Sequence, residues 1–286
     1  GNAADSILAI PGQTGSLSQN KNIVIDTQEP VVDSVMASSA DGTYGTGDIV
    51  YIKVYFNEKV KVYGKPILAL NTNDSAYYTS GNGKKELTFK YTVKEADFAN
   101  LLNYSSNTSL SFNGDSITDL AGNMADTSLV KASGNTKALS DLSSILIDAQ
   151  LRSVNTVDGD DTGAPYNAGD TVEIYVNFTD KAYISGIPKI QLETGRIDRY
   201  ANYAEGDSTT TLTFYYIVVS GDSTSVLNYK KINALSGGSI RDSVGNDIDL
   251  ELPPLVDGAN LLQPKGIVVD GILPTIDEVT STTSNG

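Results

Sequence analysis

The chain has 286 residues, enough for about two domains of ordinary size, and 40% of its residues are hydrophobic. It carries 35 acidic and 20 basic residues, a formal net charge of −15, which argues against nucleic acid and against anionic membrane surfaces as partners. It contains no Cys, His or Trp, which excludes disulfides, Ser-His-Asp or Cys-His catalysis and the usual zinc sites. No stretch approaches the roughly 20 apolar residues that membrane insertion requires.

One short motif occurs three times, at residues 23–26, 145–148 and 267–270, with a period of 122 residues. The sequence between these copies stays in register, because Gly-Lys-Pro-Ile-Leu-Ala-Leu in the first interval matches Gly-Ile-Pro-Lys-Ile-Gln-Leu in the second. A repeat of fixed period indicates a tandem architecture. We therefore predict four segments: the last strands of a preceding repeat (1–26), two full repeats (27–148 and 149–270) and the first strand of a following repeat (271–286).

Apolar and polar residues alternate within each repeat, which is typical of strands with one buried face. Clusters of Gly, Asn, Asp and Ser separate these runs, and one helical turn is expected near residues 95–101. The pattern predicts an all-β fold of tandem immunoglobulin-like β-sandwich repeats with a 122-residue period, each with seven or eight short strands. The predicted inward-facing residues are Val50, Ile52, Val54, Phe56, Leu87, Phe89 and Tyr91, with Val172, Ile174, Val176, Phe178, Leu212, Phe214 and Tyr216 in the second repeat.

The runs GTYGTGDIVYIKVYFNEKVKVYGKPILAL, ELTFKYTV and SITDLAGNMA resemble the Ig-like repeats of large bacterial and archaeal surface proteins, of the adhesin and S-layer type. The resemblance extends over both full repeats and both end segments. It implies an extracellular, cell-surface location and a role as a structural spacer. The second repeat departs from the pattern at Arg152, where the first repeat has Pro30, and this affects the expected stiffness of the second junction.

Acidic residues recur at matching positions of the two repeats. Threading the strands through a sandwich predicts that the start of the repeat, the loop after the second strand and the loop before the last strand meet at one end. Clustered carboxylates and loop carbonyls are what Ca²⁺ requires, so the sequence predicts calcium at the junctions. The candidate ligands are Asp26, Glu58 and Asp119; Asp148, Asp180 and Asp242; and, at the other end, Asp48, Asp97, Asp170, Asp222 and Asp270.

The same residues have purely structural interpretations. Gly-Asp before a strand is an ordinary turn, Asp97 and Asp222 can cap a helical turn, and the loop that follows Asp119 can be stabilised by its own side chains. Paired carboxylates also hydrolyse glycosides, but that chemistry needs a unique cleft, whereas these carboxylates recur with the scaffold. We therefore expect a protein that is not an enzyme.

Three hypotheses for function remain open. The first is a structural segment of a surface fibre, sheath or S-layer, with neighbouring repeats or further copies of the chain as partners. The second is an adhesin segment that binds a glycan or another cell, through outward tyrosines (Tyr51, Tyr55 and Tyr175) or the divergent loop that carries Arg196 and Arg199. The third is assembly by strand exchange through residues 6–11 and 273–279.

Overall fold

A computed structural model describes residues 1, 3–112, 114, 116–131, 137–160, 162–255 and 266–280. Within these residues the protein is nearly all β, with two helices of four residues each. None of the described helices has the length and apolar character needed to cross a membrane. The chain divides into two compact units, the first formed by residues 1–44, 48–93 and 97–147, and the second by residues 45–47, 94–96 and 148 onward.

The first unit begins with α1 (Leu17–Asn20) and continues with short strands on either side of one long strand. The strands are β1 (Val32–Ala37), β2 (Gly42–Tyr44), β3 (Ile49–Tyr63), β4 (Ile67–Ala69), β5 (Ser75–Ser80), β6 (Lys84–Thr92), β7 (Phe98–Ala99), β8 (Leu110–Ser111), β9 (Ser116–Thr118) and β10 (Ile145–Asp148), with α2 (Leu139–Leu142) before β10.

The larger sheet of the first unit has the strand order β1-β3-β6-β5-β4-β8, and β9 pairs with the far end of β3. β1, β4, β5 and β6 all pair antiparallel with their neighbours in this sheet. The smaller sheet has the order β2-β10-β7, in which β10 runs parallel to β2. The last strand of the unit, β10, therefore pairs with β2 and not with a strand of the larger sheet.

The second unit has a similar but not identical series of strands. Its strands are β11 (Val154–Gly159), β12 (Tyr166–Asn167), β13 (Thr171–Ser185), β14 (Lys189–Glu193), β15 (Arg199–Glu205), β16 (Thr209–Ile217), β17 (Ser223–Thr224), β18 (Asn228–Tyr229), β19 (Leu235–Ser236), β20 (Ser239–Arg241) and β21 (Val269–Asp270). The larger sheet has the order β11-β13-β16-β15-β14-β18, with β20 on the far end of β13 and β19 beside β14. The smaller sheet is β12-β21-β17, in which β21 runs parallel to β12.

The inner faces predicted from the alternation are confirmed. In β3, Val50, Ile52 and Val54 are fully buried and Phe56 is 3% exposed, because every second side chain of a strand points to the same face of the sheet. The corresponding residues of β6, β13 and β16 are buried in the same way. Of the tyrosines predicted to point outward, only Tyr51 is exposed, and Tyr55 and Tyr175 are half-buried.

Three local predictions were wrong. Residues 95–101 form no helical turn; they include β7, which pairs with β10 in the smaller sheet. The described part of the first unit has ten strands rather than seven or eight short ones, and β3 alone has 15 residues. Glu58 and Asp180 lie within β3 and β13 rather than in loops, because each strand stays extended while its pairing passes from β6 to β9, or from β16 to β20.

Candidate metal centre

Asp119 is the buried anchor of the candidate site, with 1% of its surface exposed. It follows β9 in the loop Asp-Leu-Ala-Gly-Asn. Its Oδ1 accepts hydrogen bonds from the backbone N–H groups of Gly122 (2.6 Å) and Asn123 (2.8 Å), and its Oδ2 accepts one from the Asn123 side chain (2.7 Å). Gly122 has a φ of 104°, a conformation that glycine adopts without strain, so the loop folds back on its own carboxylate.

Asn123 also holds the segment that leads into β1. Its side-chain amide lies 3.1 Å from the carbonyl oxygens of Asp26 and of Gln28. The Asp26 side chain is exposed, and its Oδ1 accepts a hydrogen bond from the Gln28 N–H at 3.0 Å. The Asp119 loop therefore fixes the backbone of residues 26–28 and with it the position of the Asp26 carboxylate.

Glu58 supplies the third carboxylate. It lies in β3 at the register shift between Tyr55 and Val60, where the pairing of β3 with β6 is interrupted. Carboxylate oxygens of Asp26, Glu58 and Asp119 all lie within 4.8 Å of one another, and within the described part of the chain this is the one acidic group that meets that distance. The structure thus brings together the three residues that the sequence predicted to converge at this end of the first repeat.

Among the described residues, no cationic side chain lies at contact distance from these carboxylates. No salt bridge involves Asp26, Glu58 or Asp119 among the residues that the structure describes. Burial, together with the nearby carboxylates of Asp26 and Asp119, raises the pKa of Glu58, and Lys85 offsets this only in part. For Asp119, burial opposes ionisation, but the hydrogen bonds from Asn123, Gly122 and Ala121 outweigh it and lower the pKa.

The donor set suits a hard divalent cation. Ca²⁺ binds about six to eight oxygens at roughly 2.3–2.6 Å, and it accepts carboxylates and backbone carbonyls. The group offers three carboxylates, one of them a Glu that can bind through both oxygens, and it lacks the His and Cys ligands that zinc favours. A cation there would offset the mutual repulsion of these carboxylates.

The second unit builds the same loop around Asp242, which is 3% exposed. Its Oδ1 accepts hydrogen bonds from the N–H groups of Val244, Gly245 and Asn246, each at 2.9 Å. The Asn246 side chain donates to Asp242 Oδ2 at 2.7 Å and to the carbonyl oxygen of Asp148 at 2.9 Å. Asn246 therefore positions Asp148 in the second unit as Asn123 positions Asp26 in the first.

The two sites differ in charge because of the residue at position 152, which corresponds to Pro30 in the first unit. Arg152 lies at the second site, where its Nη2 is 3.0 Å from Asp148 Oδ2 and its Nε is 3.1 Å from Asp180 Oδ2. The side chain is 15% exposed, and Asp242 lies close enough to act on it electrostatically. A cationic side chain thus binds two of the three carboxylates that correspond to Asp26, Glu58 and Asp119.

The pKa shifts at the second site reflect the presence of Arg152. The pKa of Asp180 is lowered by the hydrogen bond from the Lys181 N–H and by Arg152, with burial acting in the opposite sense. The pKa of Arg152 is raised, because the carboxylates of Asp180, Asp148 and Asp242 outweigh the effect of its burial. Glu58 and Asp180 lie at matching positions, yet their pKa values shift in opposite directions.

Two variants in the presence of a chelator test these shifts. A raised pKa in the folded state means that ionised Glu58 destabilises the first unit, so we expect Glu58→Gln to be more stable than wild type at pH 7, with the difference closing towards pH 4.5. A lowered pKa means that ionised Asp180 stabilises the second unit, so Asp180→Asn should be less stable at pH 7, with its difference closing only below pH 3.8. Urea denaturation across this pH range measures both, and a Glu58→Gln variant less stable than wild type at pH 7 would contradict the first expectation.

Asp97 and Asp222 have a different environment from the predicted one. Asp222 is 2% exposed; its Oδ2 accepts hydrogen bonds from the Tyr216 hydroxyl (2.7 Å) and the Val219 N–H (3.0 Å), and its Oδ1 pairs with Arg199 Nε (3.0 Å). Asp97 Oδ2 accepts the Tyr91 hydroxyl at 2.7 Å. Each carboxylate therefore holds the hydroxyl of a buried core tyrosine.

The remaining predicted ligands lie in turns or at strand ends. Asp170 Oδ2 accepts the Asn167 N–H at 2.7 Å in the turn before β13, and the Asp48 carbonyl accepts the Val93 N–H at 2.9 Å. Asp270 ends β21, and its Oδ1 accepts the Ile272 N–H at 3.2 Å. Where the structure is described, none of these carboxylates joins an acidic group of three.

Sequence reasoning missed the role of several side chains at these sites. Arg199, predicted as a ligand contact in the divergent loop, instead pairs with the buried Asp222. The two asparagines that end the loops, Asn123 and Asn246, carry a signal that could have been found, since each follows a Gly in a matching Asp-x-x-Gly-Asn run. Neither a protein-family model nor a curated protein matches this chain.

Proposed function

We propose that the chain is a non-enzymatic structural segment of an extracellular surface protein, built from tandem Ig-like β-sandwich repeats of 122 residues and stabilised by Ca²⁺ in its first unit. One observation carries the proposal: Asp26, in the segment before β1, converges with Glu58 and Asp119 within 4.8 Å. A cation bound there would fix that segment to the β3 strand and to the Asp119 loop. A surface array needs this kind of joint to keep its direction from one repeat to the next.

The repeat is supported by the matching order of the first five strands in the two larger sheets, β1-β3-β6-β5-β4 and β11-β13-β16-β15-β14. The bounds of β3 and β13 differ by 122 residues at both ends, and both strands bury the same alternate positions. In each unit the last strand runs parallel to the short second strand, at Ile145↔Gly42 and Tyr166↔Val269. Antiparallel strands around a core of alternating residues are what an Ig-like sandwich requires.

The first copy of the threefold motif also supports a tandem arrangement. Its Ile23 and Ile25 are 59% and 86% exposed, whereas Ile145 and Ile147 are buried in the second copy, and Ile267 is buried in the third. The buried copies cover their own units through the parallel pairing with the second strand. The apolar pattern of residues 23–26 is therefore that of the last strand of each unit, as a repeated motif predicts.

A structural role fits better than a binding role because the prominent features recur in both units. A ligand site would be expected to depend on what is unique to one unit, such as the loop with Arg196 and Arg199. Arg199, however, is held inside the second unit by Asp222 at 3.0 Å. The carboxylate loops at Asp119 and Asp242, by contrast, are built in the same way twice.

Immunogold electron microscopy of intact source cells tests the proposed location and role. An antibody raised against this chain should label a layer or fibres on intact cells, without permeabilisation, at a density typical of a structural component. Washing the cells with a chelator should loosen or release the labelled material, since the joints would lose their cation. Label that appears only after permeabilisation would contradict the proposed function.

A further inference from the structure

The two carboxylate sites share one backbone framework around positions 30 and 152. The carbonyl oxygen of Pro30 accepts the Asp126 N–H at 2.9 Å, and that of Arg152 accepts the Asp249 N–H at the same distance. The next residue in each unit accepts an N–H from the long strand, at 3.1 Å for Val31 and 3.0 Å for Ser153. Position 30 and position 152 therefore differ in their side chains and not in their place in the fold.

The side chains have opposite consequences for charge. Pro30 is buried and uncharged, so it leaves the carboxylates of Asp26, Glu58 and Asp119 to one another. Arg152 places a guanidinium between Asp148 and Asp180, with hydrogen bonds of 3.0 and 3.1 Å. The cation at the second site is thus part of the chain, which is an observation independent of the acidic cluster in the first unit.

We infer that Arg152 is a built-in replacement for the metal ion, so that the residue at this position decides whether a unit requires Ca²⁺. The inference rests on the calcium site proposed above for the first unit. With Pro at this position the three carboxylates bind a divalent cation, and with Arg the guanidinium fills the same place. The second unit is then complete without metal.

The third carboxylate is Glu58 in the first site and Asp180 in the second, and this difference is consistent with the proposed replacement of the metal by Arg152. The first unit has Glu58, whose longer side chain can reach a central ion and bind it through both oxygens. The second unit has the shorter Asp180, which leaves room for a guanidinium that donates in fixed directions. The two side chains at each site are therefore matched, Pro30 with Glu58 and Arg152 with Asp180.

Isothermal titration of the whole chain with CaCl₂ tests the inference with two reciprocal variants. Wild type should bind one Ca²⁺ per chain. Arg152→Ala, which frees Asp148, Asp180 and Asp242, should bind two, and Pro30→Arg should bind none. Arg152→Gln, uncharged but larger and more polar than Ala, serves as a second variant in case Arg152→Ala fails to fold without metal, and it should also bind two.

The outcomes separate the inference from the site on which it rests. If wild type binds one ion and the Arg152 variants still bind one, or if Pro30→Arg retains the wild-type affinity, the inference is overturned and the calcium site of the first unit stands. If wild type binds none, the proposed calcium site is itself wrong. An Arg152 variant that folds only when CaCl₂ is added supports the inference, because metal then restores what the guanidinium supplied.

Discussion

Calcium is expected to raise the melting temperature of the first unit and to leave that of the second unit unchanged. A ligand that binds only the folded state stabilises it by RT ln(1 + [L]/Kd). Calcium sites of extracellular modules have Kd values of about 0.1–1 mM, so about 10 mM Ca²⁺ should add roughly 1.4–2.7 kcal/mol to the free energy of unfolding. For a unit of this size the melting temperature should rise by on the order of 5–10 °C.

Glu58→Gln is the informative variant for this experiment. Within the described residues the Glu58 carboxylate forms no hydrogen bond, so its replacement removes a ligand and a charge without disturbing the Asp119 loop. The calcium-dependent rise should fall to a small fraction of its wild-type size. The matched control, Asp180→Asn in the second unit, should keep the full rise. Calorimetry resolves the two transitions, and an equal rise in Glu58→Gln and wild type would contradict the assignment.

Asp222→Ala is expected to destabilise the second unit strongly, by roughly 3–5 kcal/mol. It removes the acceptor for the Tyr216 hydroxyl, for the Val219 N–H and for Arg199 together. Tyr216 is 1% exposed, so water cannot replace the lost acceptor for its hydroxyl. Arg199 is 29% exposed and recovers part of its hydration, which favours the lower end of the range.

Two variants separate charge from hydrogen bonding at this position. Asp222→Asn keeps an acceptor oxygen and should cost less than Asp222→Ala. Asp97→Ala, the matched substitution in the first unit, should also cost less, because Asp97 is half-buried whereas Asp222 is 2% exposed. Urea denaturation followed by tyrosine fluorescence measures all three. Equal losses for Asp222→Ala and Asp97→Ala would show that the deeper burial of Asp222 adds nothing.

The sequence predicted the buried faces well because alternation is a local property of each strand. Val50, Ile52 and Val54 needed only the two-residue period to be assigned to the core. It also predicted the meeting of Asp26, Glu58 and Asp119, since that depended on which end of the sheet each segment reaches. It failed on Glu58 itself, because a strand that changes partners without a break cannot be distinguished by its pattern from a strand followed by a loop.

The sequence could not predict which side chains from distant parts of the chain contact one another. Arg152 was visible as a departure from Pro30, but its contact with Asp180, 28 residues away, depends on the turn of the chain between them. The bond between Asp222 and Tyr216 depends on a φ-positive turn at Gly221 that brings the carboxylate back over the ring hydroxyl. In both cases the residues belong to no recognisable motif, and only the folded structure shows that they are in contact.

Crystals of the chain grown in calcium, with anomalous differences collected at long wavelength, test the central claim most directly. The account predicts one calcium peak, at about 2.3–2.6 Å from carboxylate oxygens of Asp26, Glu58 and Asp119. It predicts none among Asp148, Asp180 and Asp242, where the Arg152 guanidinium lies. A peak in the second unit beside Arg152, or an empty first site at saturating calcium, would contradict it.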